Sequence, residues 1–431
     1  MRDHRHLDRF LYDEQLAHQF VSIRRGQLDG RNADIDDRER NSDQELVKKY
    51  LIGLIAVFGL VCLAPKAQAA NYTYYRSITV TSTASVASGT NANFPMLVSS
   101  TLSSWEPVSK GGHIQNLVTA PNGGTEPADL IFVTSTPTVS GTAWSCGTSL
   151  NFETQSYSSS TGALMDWVNV PSVSTGTVIY ACYGASSVTT DQSHPSSTWN
   201  SNYIAVYHFP AVNGLLVASD STSNANNLSA TGSPSIQTGI LGGGIGASTS
   251  NYFTKTLNTT INTVNTVSAW VFASSSFALQ NYAGQVTGGA EILSGDATNG
   301  GNSNKDAIFG SSFVFGTAYA TGTWYYVSQS RNGTGANSYI SYVNGVAVIT
   351  TTRSSNDSGT GLTIGVGSSH TEPWPGIIDE FRVSNIANTS QWILTEYNNQ
   401  SSPSAFYTLG SETAVSAGTI HPRNTILTWD W

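Results

Sequence analysis

From residue 71 onward, apolar and polar residues alternate with the period of two that is typical of β-strands. Ile78 and Val80 alternate with serine and threonine, and residues 177–182 repeat the pattern. The segment 266–273 is apolar on both faces, which is typical of a strand buried between two layers. Because such short strands recur between turns rich in Gly, Asn and Ser, the chain is predicted to be all-β and built from sandwiches.

Local signals also predict one hairpin and one helix. Asn344 and Gly345 separate two apolar runs, and both residues tolerate the positive φ that a two-residue hairpin turn requires. The polar residues 388–390 are typical of a helix N-cap, and Trp392 and Ile393 follow them. We therefore expect a short helix that packs these two side chains against the edge of a sheet.

Residues 191–200 form a polar segment that contains a proline, which is typical of a domain boundary. The predicted organisation is therefore two β-sandwich domains, at 71–195 and at 200–411. Residues 412–431 are treated as a tail, for which the sequence predicts no structure.

The first seventy residues have the features of an export signal. Basic residues precede an apolar run at 51–63, and Ala67 and Ala69 have the spacing that signal peptidase accepts. A transmembrane anchor is the alternative, but an apolar helix of this length rises only about 20 Å, against a hydrocarbon core of roughly 30 Å. We therefore predict a signal peptide at 48–69, cleaved after Ala69, with no membrane insertion after cleavage. The expected location is extracellular, periplasmic or on the cell surface.

The N-terminal extension at 1–47 is densely charged with both signs. One interpretation is a cytoplasmic tail ahead of the signal. We prefer the interpretation that translation starts near Leu46 or Val47. In either case the extension carries no recognisable chemistry.

Charge is sparse in the rest of the chain. Residues 71–431 carry 8 Lys and Arg against 17 Asp and Glu, and the basic residues form no cluster. Nucleic acids and anionic membranes are bound by several Lys or Arg side chains acting together, so neither is an expected partner.

Cys146 and Cys182 are the only cysteines after the predicted signal. In an oxidising compartment they can form a disulfide, which would stabilise the fold by roughly 3–4 kcal/mol for a loop of this length. The alternative is two buried thiols, and we favour the disulfide. No cysteine or histidine spacing is typical of a zinc site.

Six ordered blocks in the first predicted domain carry a family resemblance. They read YRSIT at 75–79, NFPMLV at 93–98, ADLIF at 128–132, LNFE at 150–153, TGALMDWVNVP at 161–171 and YACYG at 180–184. With these blocks, residues 72–184 resemble the bacterial domain family DUF2341. The family name implies no activity.

A second set of blocks lies in the second predicted domain. They read VYHF at 206–209, DSTSN at 220–224, TWYYV at 323–327, YVNG at 342–345, GIIDEFRVS at 376–384 and EYNNQ at 396–400. Residues 203–409 thereby resemble the laminin-G-like, concanavalin A-like jelly rolls, with Asn-Gly where the hairpin commonly reads Asp-Gly. The resemblance implies an extracellular binding module, often for glycans and often with one calcium ion.

Calcium is the cofactor that this resemblance implies, and Asp220 and Asp379 are its candidate ligands. Calcium takes six to eight oxygen ligands, and asparagine side chains and carbonyls near Asp220 can supply several. The alternative is that Asp220 caps a turn and that Asp379 orders a strand end through backbone N–H groups. The two interpretations are evenly balanced.

One aromatic residue is the candidate ligand contact. Trp374 lies between two prolines in the loop 368–375, where a core position is less natural. We therefore expect its ring to be exposed and to stack on the apolar face of a sugar ring.

Taken together, these features predict a secreted or cell-surface protein that binds a glycan or another surface ligand. A structural or adhesive protein that binds other proteins is the alternative. A glycoside hydrolase comes last, because retaining hydrolysis needs two carboxyl groups about 5–5.5 Å apart in one cleft. Asp379 and Glu380 are adjacent and would point to opposite faces of a regular strand. No catalytic residue is predicted, and the protein is not expected to be an enzyme.

Overall fold

Strands dominate the fold, and each of two β-sandwiches encloses its own apolar core. The computed structural model describes residues 71–81, 86, 91–140, 143–275, 281–287, 290–294, 305–309 and 313–415. The predicted N-terminal extension, the signal peptide and most of the predicted tail lie outside the described residues.

The first sandwich is built mainly from strands that precede residue 184. These are β1 (Tyr74–Val80), β2 (Asn91–Thr101), β3 (Leu117–Thr119), β4 (Thr125–Pro127), β5 (Ile131–Val133), β6 (Thr138–Ser140), β7 (Ala143–Ser145), β8 (Phe152–Ser158), β9 (Ala163–Val173) and β10 (Val178–Tyr183). Two short 3₁₀ turns lie at Ser103–Trp105 and Val108–Lys110, and a one-turn helix α1 (Pro195–Thr198) leads to the second sandwich.

The second sandwich contains the next seventeen described strands. These are β11 (Tyr203–Tyr207), β12 (Ala211–Val212), β13 (Leu215–Leu216), β14 (Ser229–Thr231), β15 (Ser235–Thr238), β16 (Gly243–Gly246), β17 (Tyr252–Ile261), β18 (Val264–Ala273), β19 (Asn281–Val286), β20 (Ala290–Ser294), β21 (Lys305–Phe309), β22 (Phe313–Ala318), β23 (Trp324–Asn332), β24 (Tyr339–Val343), β25 (Val346–Thr351), β26 (Gly359–Ile364) and β27 (Gly376–Ser384). Helices α2 (Ser390–Ser401) and α3 (Pro403–Phe406) and strands β28 (Tyr407–Leu409) and β29 (Thr413–Ala414) follow.

In the first sandwich, a sheet of order β28-β1-β10-β5, with β29 also paired to β1, faces a three-stranded sheet of order β2-β9-β8. The alternation predicted for β1 is confirmed, since Ile78 and Val80 are buried in the core with Phe94. The predicted disulfide between Cys146 and Cys182 is also confirmed, and it joins the residue after β7 to β10.

In the second sandwich, a sheet of order β15-β16-β27-β18-β23-β24-β25, with β11 also paired to β27, faces a sheet of order β14-β17-β26-β19-β20-β21-β22. Strand β18 is central, and both of its faces are covered, as its apolar sequence predicts. Val267 and Val271 lie in the sandwich core, and Trp270 packs on the other side with Tyr326. The fold class is therefore all-β, and the second sandwich consists of two facing sheets of antiparallel strands.

The hairpin predicted from Asn344 and Gly345 is confirmed. These residues join β24 to β25 and have φ values of 51° and 78°. The predicted helix is confirmed as α2, whose N-cap Thr389 accepts a hydrogen bond from the Trp392 backbone N–H at 3.2 Å. None of the helices among the described residues is long and apolar enough to cross a membrane.

The C-terminal segment connects the two sandwiches. Trp392 of α2 packs on Phe94 of the first sandwich, and the Asn399 side chain bonds both the backbone N–H and the carbonyl of Leu97. Strands β28 and β29 then pair with β1. The predicted tail therefore begins as part of a sheet, and its Glu412 carboxylate accepts a hydrogen bond from Tyr183 at 2.6 Å. The domain division near residues 195–200 stays a prediction.

Candidate functional site

A buried aromatic layer lies where the two sandwiches meet. Trp167 of β9 and Trp199 pack here with Tyr203 and Val206 of β11. The layer forms because successive residues of a strand point to opposite faces, so that a strand covering the first core presents its other face to the second sandwich. The contact between the sandwiches is therefore itself a small core.

An arginine lies inside this layer. The Arg382 guanidinium is 4.4 Å from the Trp167 ring and 4.9 Å from the Trp199 ring, within the range of a cation–π interaction. It also pairs with Glu380 at 2.9 Å and with Glu396 at 3.2 Å. All three charged side chains are fully buried, so each charge depends on its partners for stabilisation.

His208, the residue after β11, extends this network toward the first sandwich. Its Nδ1 lies 2.8 Å from Glu380, and its Nε2 lies 3.4 Å from Glu153 of β8. Burial alone lowers the pKa of an imidazole, but the two carboxylates outweigh burial and raise the pKa of His208 to about 10. His208 is therefore an imidazolium at neutral pH, with N–H donors on both nitrogens.

Glu380 reaches His208 from an irregular point of β27. The pairing with β18 shifts register between Ser268 and Trp270, and Glu380 has a left-handed φ of 52°. Such a conformation costs about 1–3 kcal/mol in a residue other than glycine, and it persists only where the surroundings fix it. Although burial raises the pKa of a carboxyl, His208 and Arg382 outweigh it and lower the pKa of Glu380.

A cavity of about 150 Å³ opens between the sandwiches beside this network. We call it the inner pocket; its lining includes Glu153, His208, Asp220, Ser221 and Asn122. The Glu153 carboxylate accepts hydrogen bonds from Ser221 Oγ at 2.6 Å and from Trp199 Nε1 at 2.7 Å. The pocket wall thus carries a fixed carboxylate next to a fixed imidazolium.

Two further cavities, of about 450 Å³ and 240 Å³, adjoin the inner pocket. Gln155 and Pro210 line all three cavities. Within the described part of the chain, no residue that lines the two outer cavities is charged. We call these two cavities the uncharged channel, and the channel and the inner pocket together the junction groove.

Turns from both sandwiches bound the junction groove. The hairpin of β12 and β13 turns at Asn213 and Gly214, which have φ values of 52° and 77°. Its Val212 side chain approaches the β3–β4 turn of the first sandwich, where a Cβ on Gly123 would lie 3.9 Å from Val212 Cγ1. The groove is therefore shaped by both sandwiches and not by either one alone.

Asp220, a predicted calcium ligand, lines the inner pocket, but its oxygens are already engaged. They accept hydrogen bonds from the backbone N–H groups of Val206, Thr222 and Asn226 and from the Thr222 hydroxyl, at 2.8–3.0 Å. Burial raises the pKa of Asp220 against these hydrogen bonds. This geometry matches the alternative interpretation, in which Asp220 orders a turn.

Asp379, the other predicted calcium ligand, is fully buried. Its carboxyl accepts from the backbone N–H groups of Leu241 at 2.9 Å and Glu380 at 2.7 Å. Burial and then the Glu380 charge raise its pKa well above the ordinary value. Among the described residues, no three His, Cys, Asp or Glu side chains are grouped so that they could hold a metal ion. The contacts of both carboxyls match the hydrogen-bonded alternative, and calcium binding stays a prediction.

Trp374 is not an exposed ligand contact, and that prediction is wrong. Its side chain is 1% exposed in the core of the second sandwich. The ring lies edge-on to Tyr319, and its Nε1 donates to the Phe272 carbonyl at 3.1 Å. The loop folds back through a hydrogen bond from the Trp374 backbone N–H to Gly365, so the ring enters the core instead of the solvent.

Sequence reasoning missed Glu153 and His208 as members of one site. In the sequence, 55 positions separate Glu153 from His208, and no motif connects them. They belong to different sandwiches, so no local spacing links them. Only the contact between the sandwiches brings them together.

Part of the second sandwich matches a known family. Residues 241–394, less than half of the chain, match the Laminin_G_3 family model of the concanavalin A-like lectin/glucanases superfamily. No curated protein matches the chain.

Several solved structures are similar to part of the chain. Domain 4 of AbnA, an extracellular arabinanase from Geobacillus stearothermophilus solved with arabinotriose, is 20% identical with a TM-score of 0.33, over 45% of this chain and 97% of that one. The botulinum neurotoxin serotype D ligand-binding domain, solved with N-acetylneuraminic acid, is 14% identical with a TM-score of 0.35. This match covers 48% of this chain and 53%, about half, of the toxin domain. At such scores these similarities do not identify a ligand, and the family match alone relates residues 241–394 to lectins and glucanases.

Proposed function

We propose that this protein is an extracellular glycan-binding protein and that its ligand lies in the junction groove. The observation that carries the proposal is the inner pocket. There the buried Glu153 carboxylate of the first sandwich lies beside the buried His208 imidazolium of the second. A sugar hydroxyl both donates and accepts hydrogen bonds, and this pair offers one partner for each role.

Both Glu153 and His208 have hydrogen-bonding positions that no protein group fills. A carboxylate has room for about four hydrogen bonds, and Glu153 accepts two from protein groups. His208 Nε2 is buried and makes no aligned hydrogen bond, although it lies near Glu153. A ligand hydroxyl in the inner pocket could therefore donate to Glu153, beside the positively charged His208 ring that lines the same cavity. Because the network behind fixes both groups, binding would cost little ordering of side chains.

Binding without catalysis is the form of the proposal that the site favours. The superfamily of the matched segment includes both lectins and glucanases. A glucanase needs one carboxyl that donates a proton and another placed to attack or to activate water. In the inner pocket, Asp220 is held by backbone N–H groups, and Glu153 is held by Ser221 and Trp199. Because Asp220 already accepts four hydrogen bonds, Glu153 has no free carboxyl partner in the described lining of the inner pocket.

Export is part of the same proposal. The disulfide between Cys146 and Cys182 is typical of proteins that fold in an oxidising compartment. The signal peptide predicted at 48–69 and the resemblance of residues 72–184 to DUF2341 agree with a secreted or surface protein. An adhesive protein that binds other proteins remains the alternative.

A glycan array on matched variants tests the proposal. Ser219 is exposed and lines the inner pocket, whereas Ser223 is exposed in the next turn and lines none of the three cavities. We expect the wild type and Ser223→Trp to bind the same glycans and Ser219→Trp to lose them, with all three melting at similar temperatures. Chelation should leave binding unchanged. A blank array for the wild type would favour the adhesive alternative, and binding that Ser219→Trp retains would move the site elsewhere.

A further inference from the structure

The size of the junction groove constrains its ligand. Small-molecule pockets that enclose a whole ligand are typically about 300–1,000 Å³. The inner pocket, at about 150 Å³, is too small to enclose an oligosaccharide. The uncharged channel adds cavities of about 450 Å³ and 240 Å³ that share Gln155 and Pro210 with it. A ligand larger than the inner pocket must therefore extend from one of these cavities into the next.

The lining of the channel constrains the charge of the ligand. The side chains that face it include amides, hydroxyls and the apolar Ile236, which is 40% exposed. An acidic polysaccharide would find no cation in the channel and would face the negative net charge of the chain. In the described lining of the junction groove, the charged side chains are Glu153, His208 and Asp220 of the inner pocket, and each of them is paired or hydrogen-bonded. The groove is thus suited to an uncharged ligand.

The channel is formed by two different sheet edges. On one side lies β8 of the first sandwich, whose Gln155 is fixed by hydrogen bonds to the Leu241 carbonyl and from Trp167 Nε1, both at 2.7 Å. On the other side lies β15, the edge strand of the eight-stranded sheet, with Gln237 and Thr238. A ligand in the channel would contact both sandwiches at once.

From these features we propose that the ligand is a linear, uncharged oligosaccharide that lies along the channel with one sugar unit in the inner pocket. This inference rests on the proposed function. The hydroxyls of such a chain meet the amides and hydroxyls of the channel, and an apolar face of one ring packs on Ile236. Because several units are bound along the chain, affinity depends on chain length.

The test is calorimetric titration with neutral linear oligosaccharides, from monosaccharides to hexasaccharides, of the β-1,4-glucan, β-1,3-glucan, β-1,4-xylan, β-1,4-mannan and α-1,5-arabinan series. Two exposed strand serines of the three-stranded sheet supply matched variants. Ser156 lines the channel, and Ser172 lines none of the three cavities of the junction groove. For at least one series, we expect the dissociation constant to fall at least about tenfold between monosaccharide and tetrasaccharide. We expect Ser156→Trp to abolish this increase in affinity with chain length and Ser172→Trp to keep it.

Each outcome decides between the two proposals. A monosaccharide that binds as tightly as its hexasaccharide would overturn the linear ligand and leave glycan binding in place. If Ser156→Trp kept the increase in affinity with chain length, the oligosaccharide would not lie along the channel, and this proposal would also be overturned. Absence of binding in every series, together with a blank array, would overturn both proposals. If an extended peptide bound in the channel instead and Ser156→Trp abolished that binding, the ligand would be a protein and not an oligosaccharide.

Discussion

Two buried groups of charged residues in this molecule are stabilised in opposite ways. At the junction, Glu153, Glu380 and Glu396 are buried with His208 and Arg382, so that each carboxylate lies near a cation or a hydrogen-bond donor. In the first sandwich, Glu126 and Asp166 are equally buried but have no cation among the groups that shift their pKa values.

The proton takes the place of a cation in the second group. Burial, followed by hydrogen bonding to Asp191, raises the pKa of Glu126 to about 9. Burial likewise raises the pKa of Asp166 well above its ordinary value. These two carboxyls are thereby kept neutral, whereas Glu153 in the inner pocket accepts hydrogen bonds from Ser221 and Trp199 and lies near the His208 imidazolium. The two groups thus differ in what compensates their burial, which is ion pairing and hydrogen bonding at the junction and protonation in the first sandwich.

The largest expected effect is the loss of the junction cation. Arg382→Met leaves Glu380 and Glu396 buried without their partner, and such a change costs about 3–5 kcal/mol. Urea unfolding of wild type and variant measures it. Arg76→Met is the control, because Arg76 is part-exposed, its pair with Glu412 spans 3.9 Å, and it donates to the Gly410 carbonyl at 2.8 Å. We expect the smaller cost of about 2 kcal/mol or less. Equal losses of unfolding free energy in the two variants would contradict the claim that Arg382 stabilises the buried carboxylates at the junction.

The second effect is a loss of stability at alkaline pH. The pKa of His208 is about 10 in the fold and about 6.5 in the unfolded chain, so its contribution is complete below pH 6.5 and is lost as the pH rises through 10. We expect the free energy of unfolding to fall by about 4 kcal/mol between these pH values, measured by urea unfolding at several pH values. His208→Gln should reduce the slope, and an unchanged slope would contradict the imidazolium assignment.

The third effect is a gain of stability on substitution, at Glu126. Glu126 is protonated in the fold up to about pH 9 but ionises near pH 4.5 when unfolded, so it lowers stability increasingly as the pH rises between these values. Glu126→Gln should therefore stabilise the protein by about 2 kcal/mol at pH 8 and by little at pH 4. Glu106→Gln, which changes a half-buried glutamate of the same sandwich, controls for net charge. Destabilisation by Glu126→Gln at pH 8 would show that the carboxylate is ionised there.

The smallest effect is expected at Asp166. Because this carboxyl is kept neutral, the amide of Asp166→Asn resembles it in shape and charge, and thermal unfolding at pH 7 should change by less than about 1 kcal/mol. A loss of several kcal/mol would mean that Asp166 is ionised and compensated by a group that these contacts do not include.

Features that depend on neighbouring residues in the chain could be predicted from the sequence. The hairpin at Asn344 and Gly345 follows from the backbone preference of two adjacent residues, and α2 follows from a cap and the residues after it. The burial of β18 on both sides follows from the apolar residues on both of its faces. In each case one short segment contains the whole cause.

The site could not be predicted in the same way. Glu153 and His208 meet only because β8 and β11 face each other across the junction. The exposure of Trp374 was inferred from its loop, but side-chain burial depends on where the loop folds. For Asp220 and Asp379, the sequence could not distinguish a metal ligand from an acceptor of backbone N–H groups, since both roles use the same carboxylate.

The central claim is that a glycan is bound between the two sandwiches, and a crystal structure with the tightest-binding oligosaccharide tests it most directly. We predict electron density for the sugar chain in the junction groove, with one unit beside Glu153 and His208 and the others along Gln155 and Pro210. Density confined to another surface, such as the cavity of about 370 Å³ that includes Asn332 and Thr389, would contradict the claim.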